Sequence, residues 1–188
     1  MSLYIAVLHH PVYNRHGDVV TTAIANMDIH DIARAAATYG VKFFYIVNPM
    51  PEQKELAAEL IRHWTQGYGA SSNPARREAF KTVKLADSLA EVVAEVEKDA
   101  GGRPEIAVTG ASIDSGLTPW GAFRERLGRG KPPFLVLFGT GWGISKEIVE
   151  RADYRLPPLA GPSQYNHLSV RSAVSITLDR LMGINRPG

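Results

Sequence analysis

Short apolar segments alternate with amphipathic segments from one end of this 188-residue chain to the other. Four apolar segments, residues 3–10, 41–49, 105–112 and 133–139, lack the polar alternation of a strand that has one solvated face. Strands that are apolar on both faces are typical of a parallel sheet that helices cover on both sides. The sequence therefore predicts an α/β fold with a mostly parallel sheet, in a single domain over residues 1–188.

The segments between these strands carry helical spacing and residues that end helices. In the first of them, apolar residues recur three and four positions apart, with Asp28 as the expected N-cap and Gly40 at the end. Further helices are predicted over residues 52–67, 87–102, 118–131, 145–152 and 167–183. Residues 10–24 and 68–80 are rich in turn-forming and polar residues and are predicted to be loops.

The amino-acid composition excludes several kinds of functional site. The chain has no cysteine, which excludes disulfides, a thiolate nucleophile and Cys-based zinc sites, and no His, Asp and Glu spacing is typical of a metal site. The first residues form neither a basic leader nor a membrane-spanning segment, so we expect a cytoplasmic protein that binds neither a membrane nor a metal. The net charge of +2 permits a nucleic-acid partner without requiring one.

Three glycines, Gly139, Gly141 and Gly143, follow the most apolar strand in the segment FLVLFGTGWGIS. Their spacing differs from the G-x-G-x-x-G of dinucleotide sites, and no P-loop sequence is present. Ligands of parallel sheets bind beyond the carboxyl ends of the strands, where Gly110 ends another strand. The glycines indicate either a tight turn or the close approach of the backbone to a ligand. On the second interpretation, a valine at Gly141 intrudes on the ligand and leaves the fold intact.

The C-terminal third of the chain resembles the signature of the SPOUT class of RNA methyltransferases, in the segments FLVLFGTGWGIS, DYRLPPLAGPSQYN and HLSVRSAVSITLDRL. Two earlier segments, NRHGDVVTTAIANMDIHDIARAAATYGV and IRHWTQGYGASSNPAR, are similar to a bacterial family of this class, so the resemblance extends over nearly the whole chain. It implies an S-adenosylmethionine-dependent methyltransferase acting on tRNA or rRNA, at a ribose 2′-oxygen or a base nitrogen. It also implies a C-terminal trefoil knot, approximately residues 134–184, and a homodimer with the active site at the interface.

The resemblance also implies which residues hold the cofactor. One wall of the site comes from the end of the strand at residues 105–112, a second from the glycine loop, and a third from the segment before the last helix. The implied cofactor-binding residues are Thr109, Gly110, Ala111, Phe138, Gly139, Thr140, Gly141, Trp142, Gly143, Leu156, Tyr165, Asn166, Leu168 and Ser169.

Arg34 matches the position of a functional arginine in SPOUT ribose 2′-O-methyltransferases, which follows an asparagine by six positions. Asp28 stands where that asparagine would be, so the match is imperfect. By this resemblance Arg34 contacts the ribose or phosphate of the target and helps to activate the hydroxyl. The alternative is an ordinary surface charge that pairs with Asp28 or Asp31.

Other candidate residues lie in polar segments. His16 is the most credible catalytic histidine, since it lies beside Asn14 and Arg15 in a polar loop. Arg15, Arg76 and Arg77 are candidates for RNA contacts, although a solvated basic face explains them as well. Two functions of other classes also remain open at this stage, a nucleotide-binding oxidoreductase and a catalytically silent RNA-binding knot protein.

Overall fold

The computed structural model describes residues 2–184 and consists of eight strands and eight helices in this range. The strands are β1 (Leu3–Leu8), β2 (Val12–Tyr13), β3 (Val19–Val20), β4 (Phe44–Val47), β5 (Val83–Ala86), β6 (Glu105–Val108), β7 (Phe134–Gly139) and β8 (Tyr154–Arg155). The helices are α1 (Asn26–Thr38), α2 (Pro51–Thr65), α3 (Tyr68–Ser72), α4 (Pro74–Phe80), α5 (Leu89–Ala100), α6 (Trp120–Gly128), α7 (Lys146–Arg151) and α8 (Val170–Met182).

Six strands form one sheet in the order β5-β4-β1-β7-β6-β8. Every neighbouring pair in this sheet is parallel, so all six carboxyl ends lie at the same edge. The predicted α/β class with a mostly parallel sheet is thus confirmed. The chain turns from β1 toward β4 and β5 on one side and toward β7, β6 and β8 on the other, and such a reversal opens a crevice at the carboxyl edge.

Strand β1 shows why the apolar segments are apolar on both faces. Its alternate residues Leu3, Ile5 and Val7 lie in one hydrophobic core, with side chains of α1, α2, α4, α6 and α8. The intervening residues of the same strand lie in a second core on the opposite face, with side chains of α5 and α7. Because side chains alternate across a strand, a strand covered on both faces must be apolar at every position.

Residues 10–24 were predicted to be a loop, but they contain a small antiparallel hairpin of β2 and β3. The side chain of Asn14 stabilises its turn, because Asn14 Oδ1 accepts hydrogen bonds from the backbone N–H groups of His16, at 2.8 Å, and Asp18, at 3.0 Å. An asparagine that bonds to nearby backbone N–H groups is a common turn device. The hairpin lies against the glycine loop, as the next section describes.

The prediction of a loop over residues 68–80 was wrong, since this segment forms α3 and α4. Asn73 caps α4, where its side chain accepts a hydrogen bond from the Arg76 N–H at 3.0 Å, and Pro74 occupies the first turn. An asparagine cap followed by proline is a helix-start signal, which the polar composition of the segment had outweighed. Phe80, at the end of α4, is fully buried and fixes the segment to the core.

The first helix begins three residues earlier than expected, at Asn26, and its N-cap is Ala25 rather than Asp28. Asp28 therefore lies in the first turn and does not cap the helix. Within the described residues, no helix has the length and apolar character needed to span a membrane. The knot over residues 134–184 stays a prediction, and residues 1 and 185–188 of the predicted domain lie outside the described range.

Candidate functional site

A cavity of about 450 Å³ lies at the carboxyl ends of β6 and β7, the two strands that end in glycine loops. The residues after β6 form one wall, the glycine loop after β7 forms another, and the segment before α8 closes the third side. The cavity is where the sequence predicted a ligand. Of the predicted cofactor residues, those that line it are Thr109, Gly110, Ala111, Phe138, Gly139, Gly141, Trp142, Gly143, Asn166 and Leu168.

Four predicted cofactor residues lie outside the lining. Leu156 is fully buried in the core, and Ser169 caps α8 by accepting a hydrogen bond from the Ser172 N–H. Tyr165 is 73% exposed, and its ring packs edge-to-face against that of His167. The hydroxyl of Thr140 donates to the Leu8 carbonyl, away from the cavity. Asn166, by contrast, joins two walls, because its Nδ2 donates to the Ala111 carbonyl at 3.2 Å.

The glycine loop packs closely against the hairpin of β2 and β3. Two backbone hydrogen bonds join them, from Trp142 N to Tyr13 O and from Tyr13 N to Gly143 O, both at 2.9 Å. Gly141 has a φ of +58°, and a Cβ at this position would lie 2.8 Å from the Tyr13 carbonyl oxygen. The hairpin backbone therefore favours glycine here independently of any ligand, and the intrusion of a side chain at Gly141 on a ligand stays a prediction.

Helix α8 forms the floor of the cavity with one face. Val170, Ala173 and Thr177 lie three and four positions apart, so they share a face, and all three line the cavity. The small side chain of Ala173 leaves room beside the glycine loop. This helical spacing was present in the sequence and identifies residues that the resemblance to the SPOUT class had not implied. The other lining residues missed by the sequence analysis are Ser112, Trp120, Pro157, Leu159 and His167.

The chemistry of the lining suits a neutral, flat and polar-edged group. No Asp, Glu, Lys or Arg lines the cavity in the part of the chain that is described. Trp120 Nε1 and Thr177 Oγ1 are buried and have no hydrogen-bond partner there, although a buried polar group normally has one. Uncharged walls with unsatisfied hydrogen-bonding atoms fit the adenine of S-adenosylmethionine, whose edge offers both donors and acceptors.

Arg34 lies in a separate groove between α1 and α8 and does not line the cavity. The carboxylates expected to pair with it are occupied by Arg171, whose Nη1 lies 3.0 Å from Asp28 Oδ1 and whose Nε lies 3.5 Å from Asp31 Oδ2. Arg34 is exposed, and across residues 2–184 it forms no ion pair. The surface-pair alternative is thus wrong for both of its named partners.

The remaining candidates do not line the cavity. His16 is exposed at the hairpin turn, where its Nε2 accepts a hydrogen bond from Arg15 Nε at 2.9 Å. The guanidinium of Arg76 lies over the Trp64 ring, 4.5 Å from its centroid, and its Nε is buried. Arg77 is exposed on α4. The described residues contain no cluster of three or more His, Asp or Glu side chains suited to a metal ion.

His9 is a buried titratable group at the carboxyl end of β1, with 2% of its surface exposed. Its Nδ1 lies 3.0 Å from the hydroxyl of Thr22. Burial lowers the pKa of His9 to about 4, and Asp28 and the Ala23 carbonyl oppose this shift. The ring is therefore neutral in the folded protein at neutral pH.

This lowered pKa predicts a pH-dependent stability. Between pH 6.5 and about 4 the unfolded chain protonates this histidine and the folded protein does not, so protons favour unfolding as the pH falls. Relative to a His9→Gln variant, the free energy of unfolding should decrease by about 3 kcal/mol from pH 7 to pH 4. Urea unfolding of both proteins across this range measures it, and parallel curves would contradict the prediction.

Comparisons with known proteins identify the family. A family model described as SAM-dependent RNA methyltransferase matches residues 2–183. An uncharacterized protein of Aquifex aeolicus is 37% identical over 185 residues, which are 98% of this chain and 90% of that protein. A protein of Oleidesulfovibrio alaskensis, named tRNA (guanine-N(1)-)-methyltransferase, is 38% identical over 182 residues. This chain spans only 42% of that relative, and 97% of its own residues are matched.

A solved structure agrees on the fold. TrmJ from Z. mobilis ZM4 superposes with a TM-score of 0.61 at 16% sequence identity, covering 100% of this chain and 72% of that one. At this identity the likeness concerns the arrangement of strands and helices, which is that of the SPOUT methyltransferases. The family model matches nearly all described residues, and the likeness in fold agrees with it, so the oxidoreductase alternative has no support. The chain belongs to the family of S-adenosylmethionine-dependent RNA methyltransferases.

Proposed function

We propose that S-adenosylmethionine binds in the cavity between the glycine loop, the residues after β6 and α8. The observation that carries the proposal is the uncharged lining with two unsatisfied polar atoms, on Trp120 and Thr177. The cofactor supplies a methyl group that its sulfonium has already activated. The backbone of the glycine loop and the side chains of α8 would hold its adenosine part, and Trp142, which lines the cavity and is 64% exposed, would contact it from the glycine loop.

Cofactor choice is directly testable. S-adenosylhomocysteine should bind to the metal-free protein with heat that isothermal calorimetry detects, whereas NAD should give none, because the loop lacks the dinucleotide spacing. Binding of NAD in place of S-adenosylhomocysteine would overturn this assignment. Transfer of a labelled methyl group to RNA from a strain lacking the gene then separates an active enzyme from a silent RNA-binding knot protein.

We further propose that Arg34 serves the cavity of a second copy of the chain. Residues 170, 173 and 177 of α8 face the cavity, whereas Arg171, Ser172 and Ser175 face the groove that holds Arg34. Successive helix residues are about 100° apart, so these two sets lie on nearly opposite sides of α8. Helix α8 thus separates Arg34 from the cavity of its own chain, and a homodimer that shares its sites removes this separation.

The homodimer has its own measurement. Light scattering at micromolar concentration should give twice the mass of the chain. Mixing an Arg34→Ala chain with a Gly141→Val chain should restore part of the activity, because one of the two shared sites then has both intact halves. A monomer that retains full activity would contradict the proposal.

For the substrate we propose tRNA, methylated at a ribose 2′-hydroxyl. The unpaired guanidinium of Arg34 is suited to a developing alkoxide, and no carboxylate lines the cavity to take a proton from a base, within the described residues. A base nitrogen is the second candidate, which the name of the Oleidesulfovibrio alaskensis relative favours. That relative is more than twice as long, so its name describes a protein with other parts. Nucleoside mass spectrometry of methylated tRNA distinguishes a ribose product from a base product.

The RNA contacts that we propose come from exposed cations. Arg15 and His16 extend from the hairpin turn beside the glycine loop, and Arg77 and the outer nitrogens of Arg76 lie on α4. Each phosphate contact of this kind steepens the salt dependence of RNA binding. We propose His16 as an RNA contact as well as a catalytic candidate, because it is exposed beside Arg15 at the hairpin turn. We also propose that residues 134–184 form the knot of the class.

A further inference from the structure

A chain of side-chain hydrogen bonds runs from the buried His9 to the glycine loop. His9 Nδ1 lies 3.0 Å from Thr22 Oγ1, and Thr22 Oγ1 lies 2.5 Å from Thr140 Oγ1. Thr140 Oγ1 in turn lies 3.1 Å from the Leu8 carbonyl oxygen. Three separate parts of the sequence, the end of β1, the segment after β3 and the glycine loop, therefore meet at two hydroxyl groups.

The donors and acceptors in this series of hydrogen bonds follow from its last acceptor, the Leu8 carbonyl oxygen. A carbonyl oxygen only accepts, so the Thr140 hydroxyl donates to Leu8 and its oxygen accepts from the Thr22 hydroxyl. In the His9 tautomer that carries its proton on Nδ1, the Thr22 oxygen then accepts from His9. A neutral ring with that proton is consistent with the burial of His9. In this arrangement, the hydroxyl groups of Thr22 and Thr140 each donate one hydrogen bond and accept one.

Backbone bonds give the same two threonines a fixed frame. Thr22 N donates to His9 O at 2.9 Å, and Thr140 N donates to Leu8 O at 3.2 Å. Asn48 Nδ2 donates to Thr22 O at 3.1 Å, which ties the same segment to the end of β4. The methyl group of Thr22 also lies in the space beside Gly141, 3.4 Å from the position of an added Cβ. The contact between the two hydroxyl oxygens therefore fixes how far the glycine loop lies from the segment after β3.

We propose that Thr22 and Thr140 are positioning residues for methyl transfer, which hold the glycine loop at the distance from the segment after β3 that the cofactor requires. The inference rests on the proposed function, because it takes the cavity beside this loop as the cofactor site. Neither side chain lines the cavity, so neither is expected to touch the ligand. Their effect on binding is transmitted by the backbone from Thr140 to Gly141, one residue further along.

Replacement of Thr140 by valine tests this geometry. A methyl group does not approach an oxygen closer than about 3.3 Å, so valine moves the loop by about 1 Å relative to Thr22. At 25 °C, where the variant is folded, we expect S-adenosylhomocysteine to bind at least about tenfold more weakly and kcat to fall by up to about 100-fold. Thr140→Ser keeps the hydroxyl and should restore both values to near those of the wild type.

A second variant separates positioning from a general loss of stability. Thr82→Val removes another half-buried hydroxyl that donates to a backbone carbonyl, that of Ala79 at 2.8 Å, on the far side of α4. It should lower the melting temperature without changing either affinity or kcat. In the double variant Thr22→Ala with Thr140→Val, the closer of the two oxygens that the new methyl group meets, that of Thr22, is absent. The double variant should therefore bind S-adenosylhomocysteine no more weakly than Thr140→Val alone. If the two substitutions acted independently, the double variant would instead show the product of the two single losses.

The indole N–H resonances give a readout that does not depend on activity. The Trp142 signal, assigned with Trp142→Phe, should shift in Thr140→Val, while that of Trp64, which does not line the cavity, stays in place. If the wild type binds S-adenosylhomocysteine and Thr140→Val binds it equally well, the inference is wrong and the proposed function stands. If the wild type itself does not bind S-adenosylhomocysteine, the proposed cofactor site is wrong.

Discussion

Arg34→Ala should reduce kcat by about 10²–10³, the usual loss when one charge-stabilising donor is removed. The affinity for S-adenosylhomocysteine should stay near that of the wild type, because Arg34 lies across α8 from the cavity of its own chain. The expected loss of kcat depends on the Arg34 guanidinium having no ion pair among the described residues. Asp28 and Asp31, the nearby carboxylates, are paired with Arg171 instead. Single-turnover methylation of tRNA and calorimetry measure the two quantities separately.

Two further variants show what kind of group acts at position 34. Arg34→Lys should rescue only part of the rate, because an ammonium does not reproduce the planar fork of a guanidinium. Arg103→Ala is a matched control: Arg103 is also exposed, but it lies between α5 and β6, at the opposite edge of the sheet. A folded Arg34→Ala enzyme with normal kcat and normal RNA affinity would show that Arg34 is only a surface charge. A loss confined to RNA affinity would favour a base nitrogen as the target.

Gly141→Val should weaken the binding of S-adenosylhomocysteine by about tenfold or more. A positive φ costs a β-branched residue at least about 1–2 kcal/mol, and the loop relieves this by moving away from the hairpin. The contact that forces the movement is the carbonyl oxygen of Tyr13, 2.8 Å from the added Cβ. The hydrogen bonds between Tyr13 and the loop should weaken at the same time. Calorimetry gives the affinity, and amide hydrogen exchange at Trp142 reports the loosening.

Gly102→Val controls for the general effect of adding a side chain. No atom lies within 4 Å of a Cβ at Gly102, and this residue is at the end of α5, far from the carboxyl edge of the sheet. It should bind S-adenosylhomocysteine as the wild type does. Unchanged affinity in a folded Gly141→Val protein would mean that the glycine loop is not a wall of the cofactor site.

The α/β class was predictable from the sequence because it depends on a local property. A strand such as β1 that contributes Leu3 and Ile5 to one core and Tyr4 and Ala6 to another must be apolar throughout. That pattern needs no knowledge of the neighbouring strands. The sequence analysis predicted a loop where α4 lies. The cap Asn73 is a local helix signal, but the polar residues that follow it are equally typical of a loop.

The candidate site was predictable where a sequence motif coincides with a strand end. The glycine loop and the residues after β6 lie where parallel sheets bind ligands, and the resemblance to the SPOUT class gave them a cofactor. The sequence did not show that predicted cofactor residues such as Leu156 and Ser169 lie outside the cavity. The direction of a side chain in an irregular segment depends on its packing, which the sequence pattern does not reveal. Leu156 is buried in the core, and Ser169 is used as a helix cap.

By itself, the sequence determined the alternation of the main strands and helices, the parallel sheet and the family, since these follow from local apolar patterns and motifs. Only the tertiary structure decided what lies against Gly141, which ions are paired with Asp28, and that Thr22 and Thr140 meet. The hairpin backbone reaches Gly141 across more than 120 positions of sequence, and Arg171 reaches Asp28 across 143. Such contacts depend on how distant segments pack in three dimensions, and no local spacing encodes them.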